Sequence, residues 1–331
     1  MKRTESAVVL PRALKSGSIV GIVAPASPPF EEGDLEYCFQ WLKKLGLRWK
    51  VGKHITDRLG DLAGTDADRL KDFHEMWEDP SVDMILPVRG GNGAVRLLDK
   101  LDFDLIAKNP KILMGYSDIT GLLIPIQQET GLVTFHGPTA LSFFESPYTY
   151  YYFEKSLMQT KPLGLISDPT PKDVWNPEYP PPRLVISPGK ARGQLTGGCL
   201  SLIRQLMGTP WEIDTRGKIL FVEDFEEEPH SLDRMLTQLE LAGKIDEAAG
   251  IIIGECASCR PGDSRRNRIG LNYSVERMLK EKFGDLGKPM VYGMRLGHSR
   301  EKFVLPLGVV AHLKADERGV SLKIEEPATQ A

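Results

Sequence analysis

Apolar residues recur along this chain in two alternating rhythms. Ser18-Ile19-Val20-Gly21-Ile22-Val23-Ala24-Pro25 is a continuous apolar run closed by a proline, the pattern of a strand buried on both faces. Leu35, Phe39, Leu42 and Leu45 then repeat at helical spacing, as do Leu70, Phe73 and Trp77 within Asp66 to Trp77. Met84-Ile85-Leu86-Pro87-Val88 predicts the next strand, and Leu97 to Ile106 a helical or mixed segment. Ile112-Leu113-Met114 predicts another strand, followed at once by the helix-like stretch Ile119 to Gln128. Alternation of this kind predicts a doubly wound parallel sheet, with ligands at the carboxyl ends of its strands.

The rhythm breaks between Asp168 and Lys190, where seven prolines (Pro169, Pro171, Pro177, Pro180, Pro181, Pro182 and Pro188) mark a surface loop or connector. Trp175 and Tyr179 give that loop aromatic surface with which to touch a partner or substrate. A second α/β unit follows. Gly197-Gly198 opens an apolar helix from Leu200 to Met207, Ile219 to Val222 is a strand, and Leu232 to Leu241 is an amphipathic helix that Ser231 could cap. Ile251 to Ile253 and Met290 to Tyr292 predict further strands, and Val309 to Leu313 and Val320 to Leu322 two short terminal ones. The expected division is 1–167, a connector at 168–190, and 191–331. No internal repeat is evident.

Candidate chemistry starts at Gly115-Tyr116-Ser117-Asp118. A serine on a sharp strand-to-helix turn exposes its hydroxyl at the sheet edge, and the Asp118 amide can point at a developing oxyanion. On the turn alone, a serine that merely caps the following helix is the simpler reading. Gly90-Gly91-Asn92-Gly93 is a glycine-rich turn able to cradle phosphate or to donate N–H groups to an oxyanion. It lacks the Lys-Ser/Thr of a P-loop and the spacing of a dinucleotide fingerprint. A serine nucleophile needs a base, and six histidines are available. His54 and His74 lie in surface-like contexts and His312 in a terminal strand, which leaves His136, His230 and His298. His298, flanked by Gly297 after a strand, ranks first; sequence separates it only weakly from His136. For an orienting carboxylate, Glu223 and Asp224 stand where the apolar run Ile219 to Val222 ends, although Glu226 to Glu228 also make this an ordinary solvated turn.

Composition narrows the rest. At 331 residues, with 41% hydrophobic and 26% charged residues, the chain is an ordinary globular protein of about two domains. A net charge of −3 gives no electrostatic reason to expect nucleic acid or an anionic membrane. No apolar run reaches the roughly 18 residues of a membrane span. Pro11 and Arg12 cut short the N-terminal apolar stretch, so no secretory signal is expected. Four cysteines are too few for a disulfide scaffold, which fits a reducing, cytoplasmic setting. Cys256 and Cys259 have redox or zinc spacing, but with no second pair and no histidine nearby in sequence they read as a chance pair at a strand end.

Taken in order, these segments resemble the LD-carboxypeptidase family of serine peptidases, which includes muropeptide LD-carboxypeptidases and microcin C self-immunity proteins. The resemblance runs through Val23-Ala24-Pro25-Ala26-Ser27-Pro28, Ala63-Gly64-Thr65-Asp66, Arg89 to Gly93, Gly115 to Asp118 and Phe135-His136-Gly137-Pro138. It continues in Gly197-Gly198-Cys199-Leu200, Phe221 to Asp224, Asp233 to Leu236 and Gly297-His298. It implies an α/β fold: an N-terminal doubly wound, flavodoxin-like parallel-sheet domain, a C-terminal mixed α/β domain, and an active site between them. It further implies a triad of Ser117, Glu223 and His298, with backbone amides of Gly91 and Asp118 as the oxyanion hole and no cofactor or metal. Asn92 departs from the family's usual tyrosine, and Cys199 from a frequent asparagine. Arg89, Asn92 and Trp175 are the expected substrate contacts. The implied substrate is a cytoplasmic murein tetrapeptide that gives up a terminal D-amino acid. The immunity branch instead cleaves an aminoacyl-nucleotide amide, with a loop tryptophan stacked on the base, and a non-catalytic ligand-binding protein on the same frame is the alternative of a different class. A homodimer is the assembly this reading allows.

Overall fold

The strand-forming runs of the first half assemble into one sheet because each is apolar on both faces and each is followed by a helix that covers it. The computed structural model describes residues 7–31, 33–142, 146–170, 183–259 and 273–331. Trp175 and Tyr179 lie outside the described residues. Five strands come first: β1 (Ile19–Val23), β2 (Arg48–Val51), β3 (Met84–Pro87), β4 (Ile112–Gly115) and β5 (Thr134–His136). After them come β6 (Gly164–Leu165), β7 (Leu184–Ser187), β8 (Gly189–Cys199), β9 (Ile219–Glu223) and β10 (Gly250–Gly254). The last four are β11 (Met290–Met294), β12 (Leu305–Leu307), β13 (Val310–Asp316) and β14 (Gly319–Ile324).

The first sheet has the order β12-β5-β4-β3-β1-β2. Strands β1 to β5 run parallel, in the 2-1-3-4-5 order of flavodoxin-type sheets. Only β12 is antiparallel, pairing Leu305 with His136. The second sheet, β6-β14-β13-β8-β9-β10-β11-β7, is mixed. Its centre, β8 to β11, is parallel, and antiparallel strands flank it on both sides. The chain is thus a two-sheet α/β protein, as the sequence pattern predicts. The sheets exchange strands: β6 comes from the first half yet closes the second sheet, and β12 comes from the second half yet edges the first.

Local signals account for the helices that position the site. The helix Asp66–Glu78 starts with a reciprocal capping box between Thr65 and Asp68 and buries Phe73 and Trp77 completely. The helix Thr120–Thr130 is enclosed on nearly every side, with Leu122, Leu123, Ile124 and Ile126 fully buried. That explains its lack of an amphipathic period. Ser231 does not cap the next predicted helix. That helix spans Pro229–Leu241 and so begins three residues upstream of the expected start, with proline in its first turn and Glu228 at the N-cap position. Gly197 and Gly198 belong to the end of β8, where Cys199 N–H donates to Thr120 Oγ1 at 3.0 Å and ties the second sheet to the helix after Ser117.

Candidate active site

Ser117 follows β4 with a φ of 59°, a left-handed conformation that is uncommon for a non-glycine residue. The residue before it is extended and those after it form one turn of 3₁₀ helix leading into Thr120–Thr130. This reverses the chain sharply and presents the side chain at the carboxyl edge of the parallel sheet. Serine here does not serve as a conventional N-cap, because Tyr116 occupies that position. Gly90 lies against it so closely that a β-carbon there would come within 2.8 Å of Ser117 Cβ and 3.2 Å of the Asp118 amide. The glycine turn after β3 and the serine turn after β4 are therefore packed face to face, and only glycine fits between them.

Asp118 ties the same two turns together through its side chain. Its carboxylate accepts the Ala94 N–H at 2.7 Å. Burial raises its pKa to about 6 against the partial relief of that hydrogen bond. A folded pKa above the ordinary value means that the folded state holds the proton more tightly. The stability this confers is complete below about pH 4 and is lost as pH rises through about 6. Asp118→Asn keeps an acceptor for Ala94 and removes the titration. We expect its unfolding free energy, relative to the parent, to rise by on the order of 2 kcal/mol between pH 4 and 7.5. Denaturant titrations at the two pH values check this, and a pH-independent difference would contradict it.

Glu223 ends β9 and is 1% exposed. Its Oε2 accepts two hydrogen bonds from His298, from the backbone N–H at 3.1 Å and from Nδ1 at 2.8 Å. Burial alone would raise its pKa, but the hydrogen bond and charge of His298 and the charge of His136 leave it below the ordinary carboxylate value. Gly297, with φ 63°, makes the contact possible, since a β-carbon there would overlap the Glu223 carboxylate. The neighbouring acid turns elsewhere: Asp224 accepts the Ser201 N–H at 2.8 Å and the Phe225 N–H at 2.9 Å, holding the helix Leu200–Leu206 in place.

His298 sits on the segment between β11 and β12, which crosses from the second sheet to the first. Arg295 pins that crossing through Glu255 at 3.0 Å and Glu301 at 3.5 Å. Two aromatic rings set the plane of the imidazole. Phe225 stacks on it at 5.0 Å and 14°, and Tyr116, the residue before Ser117, meets it edge-on at 4.8 Å. With Nδ1 committed to Glu223, Nε2 is the nitrogen left for proton transfer.

Of the expected substrate contacts, Arg89 is half-buried; its Nε donates to Pro28 O at 2.8 Å and its guanidinium covers the Phe30 ring at 4.0 Å. Asn92 is exposed; its backbone N–H donates to Ser27 Oγ at 3.2 Å and its side-chain amide to Asp61 at 3.2 Å. Trp175 lies outside the described residues. Cys256 and Cys259 lie just beyond β10, where hydrogen bonding to Cys259 and burial together push the Cys256 thiol well above its ordinary pKa. Sequence reasoning singled out Gly297 beside His298 but missed Arg295, which carries no chemistry by itself.

The LD-carboxypeptidase N-terminal domain matches residues 20–137, and the LD-carboxypeptidase C-terminal domain matches residues 192–313. This chain belongs to the LD-carboxypeptidase family. It is therefore an enzyme of the carboxypeptidase kind. A Bacillus subtilis protein named "Probable murein peptide carboxypeptidase" is 39% identical over 96% of this chain and 95% of its own length. Among solved structures, the LD-carboxypeptidase fold described here superposes on an MccF-like protein from Bacillus anthracis with a TM-score of 0.84. That pair is 28% identical and covers 96% of this chain and 100% of the other. The microcin C7 self-immunity protein MccF in complex with aspartyl sulfamoyl adenosine gives a TM-score of 0.82 at 27% identity, covering 97% and 100%.

Proposed function

We propose that this carboxypeptidase hydrolyses the L-to-D amide of murein tetrapeptides in the cytoplasm and releases the terminal D-alanine, with Ser117, Glu223 and His298 as its triad. The observation that carries the proposal is the Glu223–His298 hydrogen bond at 2.8 Å, with the Ser117 turn held against the same imidazole through Tyr116. His298 Nε2 takes the Ser117 proton as Oγ attacks the scissile carbonyl carbon. Backbone N–H groups of Asp118 and Gly91 receive the oxyanion. His298 then returns the proton to the leaving amine, D-alanine departs, and a water deprotonated by His298 releases the acyl group from Ser117. Glu223 fixes the tautomer with Nδ1–H and stabilises the imidazolium, as the third member of such triads does.

The murein reading rests on the family and on the name of the Bacillus subtilis relative. Similarity to MccF bound to an aminoacyl nucleotide analogue favours a second reading, cleavage of an aminoacyl-nucleotide amide. Trp175 separates the two. A tryptophan stacked on a base contributes roughly 1–3 kcal/mol, so Trp175→Ala would raise KM for an adenylate about 5- to 150-fold. A murein peptide offers no base to stack. We expect tetrapeptide turnover to survive Trp175→Ala with little change in KM and an aminoacyl-sulfamoyl adenylate to be a poor substrate. Efficient adenylate cleavage that collapses in Trp175→Ala, without D-alanine release, would replace the murein reading with the nucleotide one.

A further inference from the structure

His136 is unused by the mechanism above, yet it stands beside its central carboxylate. The residue ends β5 in the first sheet and is 0% exposed. Its Nε2 lies 3.6 Å from Glu223 Oε1. That oxygen is the one His298 does not use; it is buried and has no hydrogen-bond partner, and neither ring nitrogen of His136 has one. Buried polar atoms in native proteins are nearly always paired, so two facing ones need a reason. The imidazole is held edge-on by Phe221 at 5.3 Å and Tyr116 at 6.4 Å.

We propose that His136 is a positioning residue, whose Nε2–H holds the Oε1 side of Glu223 while His298 holds the Oε2 side. The proposal rests on the triad reading. Only one tautomer suits the geometry: a lone pair on Nε2 would face the carboxylate oxygen and repel it, whereas an N–H attracts it. Burial lowers the His136 pKa to about 4, against the pull of Glu223, so the ring is neutral at working pH and carries a single proton to place. Catalytic hydrogen bonds in unliganded sites are commonly long, which accommodates 3.6 Å. The placement has a structural consequence. Glu223 belongs to the second sheet and His136 to the first, so the carboxylate is gripped from both sheets and is aligned only when they are docked.

The charged and titratable groups that bear on this cluster are Glu223 and Asp224 at the end of β9, Cys199 at the end of β8, Cys256 beyond β10, His298 and Lys302 from the crossing segment, and Tyr116 from the serine turn. Removing the His136 N–H leaves more negative charge on Glu223 for His298 to feel. The His298 imidazolium is then stabilised, and the acid limb of kcat/KM moves to higher pH.

The test compares His136→Phe, which keeps a ring but no donor, with His136→Gln, whose amide nitrogen stands near the Nε2 position. His136→Phe should lower kcat about 10- to 100-fold with KM little changed. It should also raise the acid limb by roughly 0.5–1 pH unit. His136→Gln should restore the limb and most of kcat. Equal kcat losses with an unmoved limb in both variants would reduce His136 to core filling and overturn the proposal, as would no loss in either. Nitrogen-15 NMR of histidine-labelled wild-type protein tests the same point without substitution: the proton should sit on His136 Nε2 at neutral pH, and a proton on Nδ1 overturns the proposal. Should Ser117→Ala and His298→Ala be inert while His136→Phe behaves as wild type, this inference alone fails; activity in the first two would remove the triad reading itself.

Discussion

Ser117→Ala should lose hydrolysis by about 10⁴ to 10⁶ in turnover while the protein stays folded, because removing the proposed nucleophile takes away the reaction path itself. Alanine keeps the backbone and the β-carbon that pack against Gly90, so the turn with φ 59° is preserved and only Oγ is lost. Any residual turnover would come from the proposed oxyanion amides and substrate positioning, which water could still exploit. Rates are read by steady-state assay, and folding by circular dichroism and thermal unfolding. A folded variant with wild-type rates would end the serine-hydrolase account.

His298→Ala should cost nearly as much, and combining it with Ser117→Ala should add little, because a triad acts as a unit. Nδ1 is bound by Glu223 at 2.8 Å and the ring is clamped between Phe225 and Tyr116, so no other described histidine presents a nitrogen so oriented beside the serine turn. His136 meets the same carboxylate from a fully buried position, and its replacement should fall short of that loss. Independent, multiplicative losses in the double variant would show that the two side chains work separately. An indispensable His136 beside a dispensable His298 would reverse the assignment of the base.

The strands that carry the site were legible because each is an apolar run that stops abruptly: Met114 at Gly115 before the serine turn, and Val222 at Glu223. The weak preference for His298 over His136 has a physical origin, since both rings reach Glu223, one from the last residue of β5 and the other from the segment just after β11. The crossing from β11 to β12 was not legible. Leu305–Leu307 is three residues long with a proline at its centre, and it forms a strand only because β5 offers an edge. The long strand β8 was hidden too, for its glycines and charged residues carry no period, and pairing with β9 and β13 holds it. The helix Pro147–Leu157 had readable signals in its Ser146 cap and first-turn proline, but its run of tyrosines obscured the apolar face. What joins Glu223 to His298 is non-local: β9 and β11 lie either side of β10 in the second sheet, although the two residues are 75 apart in sequence.

The most direct test of the central claim is product analysis by mass spectrometry after incubating a murein tetrapeptide with wild-type protein and with Ser117→Ala. The wild type should yield stoichiometric free D-alanine and the corresponding tripeptide, and the variant should leave the tetrapeptide intact. Intact tetrapeptide with both proteins, or equal D-alanine release by both, would contradict that claim.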